Sequence, residues 1–244
     1  MKKILTVYGA CDIGLVKPNN EDLVLLGKDM FRDGSRKAEY DLEHTVAFAV
    51  ADGIGGCEKG EVASQIVLTR LNDMLGKIPD GLDNDELREL FDVYARETHG
   101  AIPVGGSTLV GLLFYEGRLY RFHAGDSRLY LLKDGGLRRL TVDHSPRESG
   151  GNPNAPSNYI SNSLGGGASA FIEFAEIKQP LASGDIYLLS SDGLHDLVPP
   201  EVISDTLTTP ESELGEPHAE QLLRLAKTAG GKDNISIITV RANI

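Results

Sequence analysis

The chain has 244 residues and only two cysteines, Cys11 and Cys57, with no paired spacing. A disulfide framework is excluded, and a reducing compartment is expected. The start, Met1-Lys2-Lys3, lacks the apolar stretch of a secretory leader, and no run approaches the length of a membrane span. The expectation is a cytoplasmic protein with no membrane partner. Positive charge is also scarce. Lys and Arg number 24 against 36 Asp and Glu, a formal net charge of −12. That balance, without a basic or aromatic stripe, argues against nucleic acid as a partner. His44, His99, His195 and His218 show no clustered spacing, which argues against zinc. His123 and His144 fall in strand-like segments and read as structural residues with local hydrogen bonds. Repeats, coiled-coil heptads and long low-complexity tracts are missing. At 41% hydrophobic the chain can bury a sizeable core, and its length fits one large domain as well as two.

What is present begins with one short stretch, Phe48-Ala49-Val50-Ala51-Asp52-Gly53-Ile54-Gly55-Gly56. A buried strand ends in a carboxylate, and glycines then allow a tight turn and close approach of a ligand to the main chain. The device recurs in Ile186-Tyr187-Leu188-Leu189-Ser190-Ser191-Asp192-Gly193. Asp33-Gly34 and Asp134-Gly135, between polar or strand-like segments, read instead as simple hairpin turns.

Between these points the pattern alternates strands with a few helices. Strands are expected at 4–11, 23–27, 45–51, 107–115, 118–124, 128–133, 171–178, 185–190 and 235–240. Residues 28–43 are polar and irregular and read as a surface loop. A helical period runs from Gly60 to Ile78, and a second helix starts near Asp83, which can cap it. Further helices fall near 199–207 and 217–228. Residues 145–158 are rich in Gly, Pro, Asn and Ser and read as a mobile loop. The sum is an antiparallel-rich sandwich covered by helices. Glu21, Asp52, Asp126, Asp192 and Asp233 each fall at a strand end or turn. Hard oxygen ligands so placed suit Mg²⁺ or Mn²⁺.

The motifs, in order, resemble those of the metal-dependent protein phosphatases of type 2C, the PPM family, in its bacterial branch. Asn20-Glu21-Asp22 resembles the first acidic motif. Ala51-Asp52-Gly53-Ile54-Gly55-Gly56, followed by Gly60-Glu61-Val62-Ala63-Ser64, resembles the second. Gly106-Ser107-Thr108 and Ala124-Gly125-Asp126-Ser127-Arg128 resemble the middle pair. Leu140 to Ser145 and Leu164-Gly165-Gly166 resemble the segments that flank a flap, here at about 145–160. Ser191-Asp192-Gly193-Leu194 and Gly231-Lys232-Asp233-Asn234-Ile235 resemble the last two.

The resemblance implies an α+β fold of a single domain over 1–244. Two antiparallel sheets would be flanked by antiparallel helix pairs in four αββα layers. It implies Mn²⁺ or Mg²⁺, two ions per site, with Asp52 bridging both, Gly53 lending its carbonyl, Glu21 holding one ion and Asp192 and Asp233 the other. Asp126, with Asp192, would hold a third, and Asp22 would hold coordinated water. The implied reaction is hydrolysis of phosphoserine and phosphothreonine on proteins by a metal-activated water, reversing a bacterial Ser/Thr kinase, by a monomer. Lys17 stands where the family usually has an Arg that grips substrate phosphate. Cys57 stands where a histidine is often found after the glycine turn, and Ile54 where eukaryotic relatives often carry a His. Lys17 keeps a second expectation open, a phosphoprotein-binding pseudo-phosphatase of the same fold. A phosphatase of an anti-sigma-antagonist system is a third; a fused sensor domain would support it, and these 244 residues leave no room for one beside the phosphatase domain.

Overall fold

The computed structural model describes residues 4–54, 59–148 and 159–244. Cys57, the glycines at 55 and 56, and most of the expected flap lie outside the described residues.

One sheet is built from β1 (Ile4–Asp12), β4 (Gly34–Asp41), β10 (Arg128–Lys133), β11 (Gly136–Arg139), β13 (Ile186–Ser190) and β14 (Ile235–Asn243), in the order β11-β10-β13-β14-β1-β4. The other holds β2 (Leu23–Leu26), β3 (Asp29–Phe31), β5 (Val46–Ala51), β8 (Leu109–Tyr115), β9 (Arg118–Ala124) and β12 (Glu173–Glu176), in the order β12-β9-β8-β5-β2-β3. β6 (Gly53–Ile54) and β7 (Gly106–Ser107) make a small third sheet. All pairings are antiparallel among the described strands.

Three buried layers hold the sheets and helices together. Val7, Phe48, Leu112, Leu189 and Ile238 interdigitate between the two sheets. On the outer face of the β5 sheet, Leu68, Leu71, Leu87 and Phe91 bury α1 (Gly60–Leu75) and α2 (Asn84–Ala101). On the outer face of the β14 sheet, Leu194, Ile203, Leu207 and Leu222 bury the short α3 (Asp192–His195), α4 (Pro200–Thr208) and α6 (His218–Thr228), with α5 (Glu211–Leu214) at the margin. Helix, sheet, sheet, helix is the expected layering. The central strands β2, β5 and β8 are apolar and buried along their whole length because both faces of their sheet are covered. Asp83 caps α2 as expected. It accepts from the amides of Asp85 and Glu86, and Glu86 returns a bond to its backbone.

Local turn chemistry is obeyed where strands are neighbours. Glu116-Gly117 joins β8 to β9 and Asp134-Gly135 joins β10 to β11, with φ of 46° and 74°, and 51° and 76°. Those pairs of left-handed residues make type I′ hairpins. Two expectations need correction. Residues 28–43 are not a surface loop, since β3 and β4 lie within them. Asp33-Gly34 is not a hairpin turn, since β3 pairs with β2 in one sheet and β4 with β1 in the other. β4 is an outer strand with an exposed face, where charged residues are tolerated and the alternation signal is weak.

Candidate metal centre

Antiparallel pairing carries the acidic residues to one end of the sandwich. Leu23 pairs with Ala51, so Asp22 and Asp52 leave the sheet side by side. Arg128 pairs with Ser190, and Ser190 with Ile237, so the ends carrying Asp126, Asp192 and Asp233 align on the facing sheet. Asp12 pairs with Ile235, which brings the loop that leads to Lys17 to the same edge.

The backbone there is held by side chains that satisfy it. Thr108 breaks the expected 107–115 strand. Its amide donates to the Asp52 carbonyl at 2.8 Å, and its hydroxyl accepts from the Asp52 amide at 3.1 Å. Asn234 ties three segments: its Oδ1 accepts from the Glu21 amide at 2.8 Å, and its Nδ2 donates to the Ile13 and Asn19 carbonyls. Arg32, in the segment read as a loop, donates to the carbonyls of Asn20, Asp22 and Glu61. It clamps the Glu21 turn onto the start of α1, and no pattern in the sequence marks it. Two glycines are required by close approach. A Cβ on Gly53 would meet the Gly60 carbonyl at 2.2 Å, and one on Gly193 the Asn234 carbonyl at 1.9 Å.

All the acidic candidates come together. Burial, then Asp22, Asp192, Asp126 and Asp233, pushes the Asp52 carboxyl well above the usual range. Burial, then Asp126, Asp233 and Asp22, does the same to Asp192. Burial raises Asp22 to about 6 and Asp126 to about 6. Glu21 is raised by burial, against the pull of Lys17. Glu21 and Asp22, adjacent in sequence, differ in exposure: Asp22 is fully buried and Glu21 is partly exposed. Asp22 Oδ2 accepts from Ser191 at 2.7 Å. Asp22 Oδ1 and Asp126 Oδ1 are buried without any hydrogen-bond partner. A carboxylate oxygen buried and unpartnered among like charges is costly unless a cation or bound water completes it. The donor set, carboxylates with a reachable carbonyl, fits a hard divalent ion.

Lys17 Nζ lies 2.7 Å from Asp233 Oδ1. Burial pulls its ammonium down, but the hydrogen bond to Asp233 and the nearby carboxylates raise it on balance. Asp196 is an acidic neighbour that sequence reasoning missed. With Asp192, Lys232 and Asp233 it lines a cavity of about 200 Å³ beside the centre. Its place, four residues beyond Asp192 across the short α3, is the one signal that could have found it.

Beside the turn that presents Asp126, His123, His144 and Glu173 bring possible ligand atoms within 4.8 Å of one another. His144 Nδ1 accepts from the Gly125 amide at 3.2 Å and faces Asn162 Nδ2 at 2.7 Å. Asn162 is fixed in that orientation by two bonds to the Phe171 backbone. His144 Nε2 therefore carries the hydrogen, which it turns toward Glu173 at 3.6 Å, and it has no lone pair for a metal. Arg121 beside Glu173 adds a positive charge that a cation would have to oppose. The histidines do structural work, as the sequence suggested. His144 also donates its own amide to the Gly125 carbonyl, so it clamps both sides of the turn that presents Asp126.

Two stacked antiparallel sheets between helices, with carboxylates gathered where both sheets end, define a sandwich protein with a cation-seeking acidic centre. A family profile described as "Protein phosphatase 2C" matches residues 36–227, and the chain belongs to that family. Among similar proteins is "Serine/threonine protein phosphatase PstP" of Mycobacterium tuberculosis, 32% identical over 257 residues. That match covers 96% of this chain but 44% of the relative, so the chain spans less than half of the mycobacterial protein's length. "Protein phosphatase PhpP" of Streptococcus pneumoniae is 30% identical, with 95% of each covered. The solved Mycobacterium tuberculosis PstP/Ppp structure matches with a TM-score of 0.74 at 32% identity, covering 98% of each chain. The PstP catalytic domain in complex with 2 manganese ions matches with a TM-score of 0.73 at 31% identity, covering 99% of this chain and 100% of that one.

Proposed function

We propose that the protein is a Mn²⁺- or Mg²⁺-dependent phosphatase that hydrolyses phosphoserine and phosphothreonine on other proteins. The observation that carries this is the convergence of Asp22, Asp52, Asp126, Asp192 and Asp233, with two buried oxygens left unpartnered, in a chain of the protein phosphatase 2C family. Asp52 would hold both ions, with Glu21 and the Gly53 carbonyl on one and Asp192 and Asp233 on the other. Asp126, with Asp192, would hold a third. When bound, paired divalent ions lower the pKa of a water and stabilise charge on the phosphoryl oxygens.

The chain's own residues do the rest. Asp22, wholly buried and half-bonded to Ser191, keeps one oxygen free to orient a water or accept its proton. Lys17 leaves Asp233 and turns its ammonium to the substrate phosphate. Nucleophilic cysteine or serine is not needed, and no phosphoenzyme is expected. By this reading one domain over 1–244, with a flap at about 145–160, acts as a cytoplasmic monomer on targets of a Ser/Thr kinase. No described helix is long and apolar enough to cross a membrane. The Lys17–Asp233 pair favours one second reading, a weak or inactive phosphoprotein binder, because it occupies a proposed metal ligand.

The test is turnover of p-nitrophenyl phosphate and a phosphothreonine peptide with Mn²⁺ and with EDTA. Metal-dependent release of phosphate from both is expected. Metal binding by calorimetry without turnover would replace the enzyme by the pseudo-phosphatase. Lys17→Arg is expected to lower KM for the peptide roughly three- to tenfold, since a guanidinium makes a two-pronged contact that an ammonium cannot. An unchanged or higher KM counts against the role given to Lys17.

A further inference from the structure

Leu15 and Val16 are 61% and 67% exposed, the two most exposed large apolar side chains among the described residues. Ile13, on the same loop, is 37% exposed. Single exposed apolar residues are ordinary on a protein surface. Here the loop is pinned, so the exposure does not arise from a loose segment. The Leu15 amide donates to the Gly231 carbonyl at 2.7 Å, and the Gly14 amide to Asp12 Oδ1 at 2.8 Å. The Ile13 carbonyl accepts from Asn234. A Cβ on Gly14 would stand 2.2 Å from the Asp233 carbonyl, so the loop lies flat on the turn that presents Asp233. Lys17 follows directly, with its ammonium on that same Asp233. Two adjacent apolar side chains are thus held outward, at a fixed place, one and two residues from the cation assigned to substrate phosphate.

We propose that Leu15 and Val16 form an apolar shelf for the phosphoprotein substrate, and that the enzyme prefers an apolar residue within two positions of the phosphorylated one. The proposal rests on the phosphatase reading. An extended peptide advances about 3.3 Å per residue. With its phosphate on Lys17, a side chain one or two positions away reaches the shelf on one side. The fit is to the substrate polypeptide itself, because the shelf is continuous with the phosphate site.

The experiment uses phosphothreonine peptides that differ only in Leu or Ser at each of the two positions on either side. The readout is the ratio of kcat/KM for the Leu peptide to that for the Ser peptide, taken within each protein. Wild type is expected to favour Leu on one side by about five- to tenfold, the scale of burying one to two methylenes. Val16→Ser and Leu15→Ser are expected to bring the ratio toward one, and Val16→Ile to keep it. Damage to the loop or to the metal centre would lower both peptides together and leave the ratio intact. A wild type indifferent to Leu and Ser, or serine variants that keep the preference, overturns the shelf alone. Absence of turnover on every substrate, p-nitrophenyl phosphate included, overturns the phosphatase reading and the shelf with it.

Discussion

Asp52→Asn is expected to lower kcat/KM on p-nitrophenyl phosphate by at least about a thousandfold while leaving the metal-free protein more stable than wild type. The first effect follows from the role proposed for Asp52, the carboxylate shared by both ions. Losing their joint stabilisation of the transition state removes several kcal/mol, and each 1.36 kcal/mol is about tenfold in rate. The second effect follows from the fold. Asp52 is held among Asp22, Asp192, Asp126 and Asp233, and partial burial leaves their repulsion poorly screened. Asparagine fills the same space without charge, and the backbone bonds of residue 52 to Thr108 do not involve its side chain. A site that stores repulsion for function is relieved when the function is removed. Steady-state kinetics with Mn²⁺ and melting in EDTA check both. Activity within tenfold of wild type sinks the catalytic assignment. A lower melting temperature in EDTA sinks the electrostatic one.

The same variant isolates a pH dependence. An acid whose pKa is raised in the folded state binds more protons folded than unfolded. It therefore weakens the fold progressively as pH climbs from the ordinary carboxylate range through its raised value. Asp52, Asp192, Asp22 and Asp126 all shift in that direction. His123 acts oppositely. Burial lowers it to about 4, so its contribution grows as pH rises toward 6.5. Wild type alone would mix the two trends, but the difference between Asp52→Asn and wild type cancels the histidine. In EDTA that difference is expected to be near zero at about pH 4.5 and to widen to several degrees by about pH 8. Each pKa unit is worth about 1.4 kcal/mol, or about 3–6 °C for a chain of this size. With Mn²⁺ the order is expected to reverse, because only wild type keeps the full ligand set and gains stability by binding. A difference that stays flat with pH would mean that Asp52 is not repelled by its neighbours.

Much of the architecture was legible because its signals are local. Apolar runs that end in Asp-Gly marked β5 and β13. A helical period marked α1, Asp83 marked the start of α2, and Asp134-Gly135 marked the hairpin between β10 and β11. The family resemblance added the layering, which the three buried layers reproduce. The misreading of residues 28–43 has a physical cause. β4 borders only β1, its face is exposed, and its Arg36, Lys37 and Glu39 gain nothing from alternation. Asp33-Gly34 carries hairpin chemistry but turns a corner between sheets, and a dipeptide cannot show which sheet its neighbours will join.

By itself the sequence determined which residue types stand at each strand end, and so the oxygen-rich chemistry of the centre. Only the tertiary structure decided how neighbours divide the work. It buried Asp22 and left Glu21 at the surface of the same turn. It brought Asn234 to the Glu21 amide across 213 positions and Ser191 to Asp22 across 169. It turned Lys17 onto Asp233, recruited Arg32 to clamp the turn before β2, and fixed the His144 tautomer so that its ring does not serve as a ligand. The reason is range. Backbone preference and apolar periodicity act over a few residues. Desolvation, like-charge repulsion and the need to satisfy buried polar groups depend on what packing places nearby.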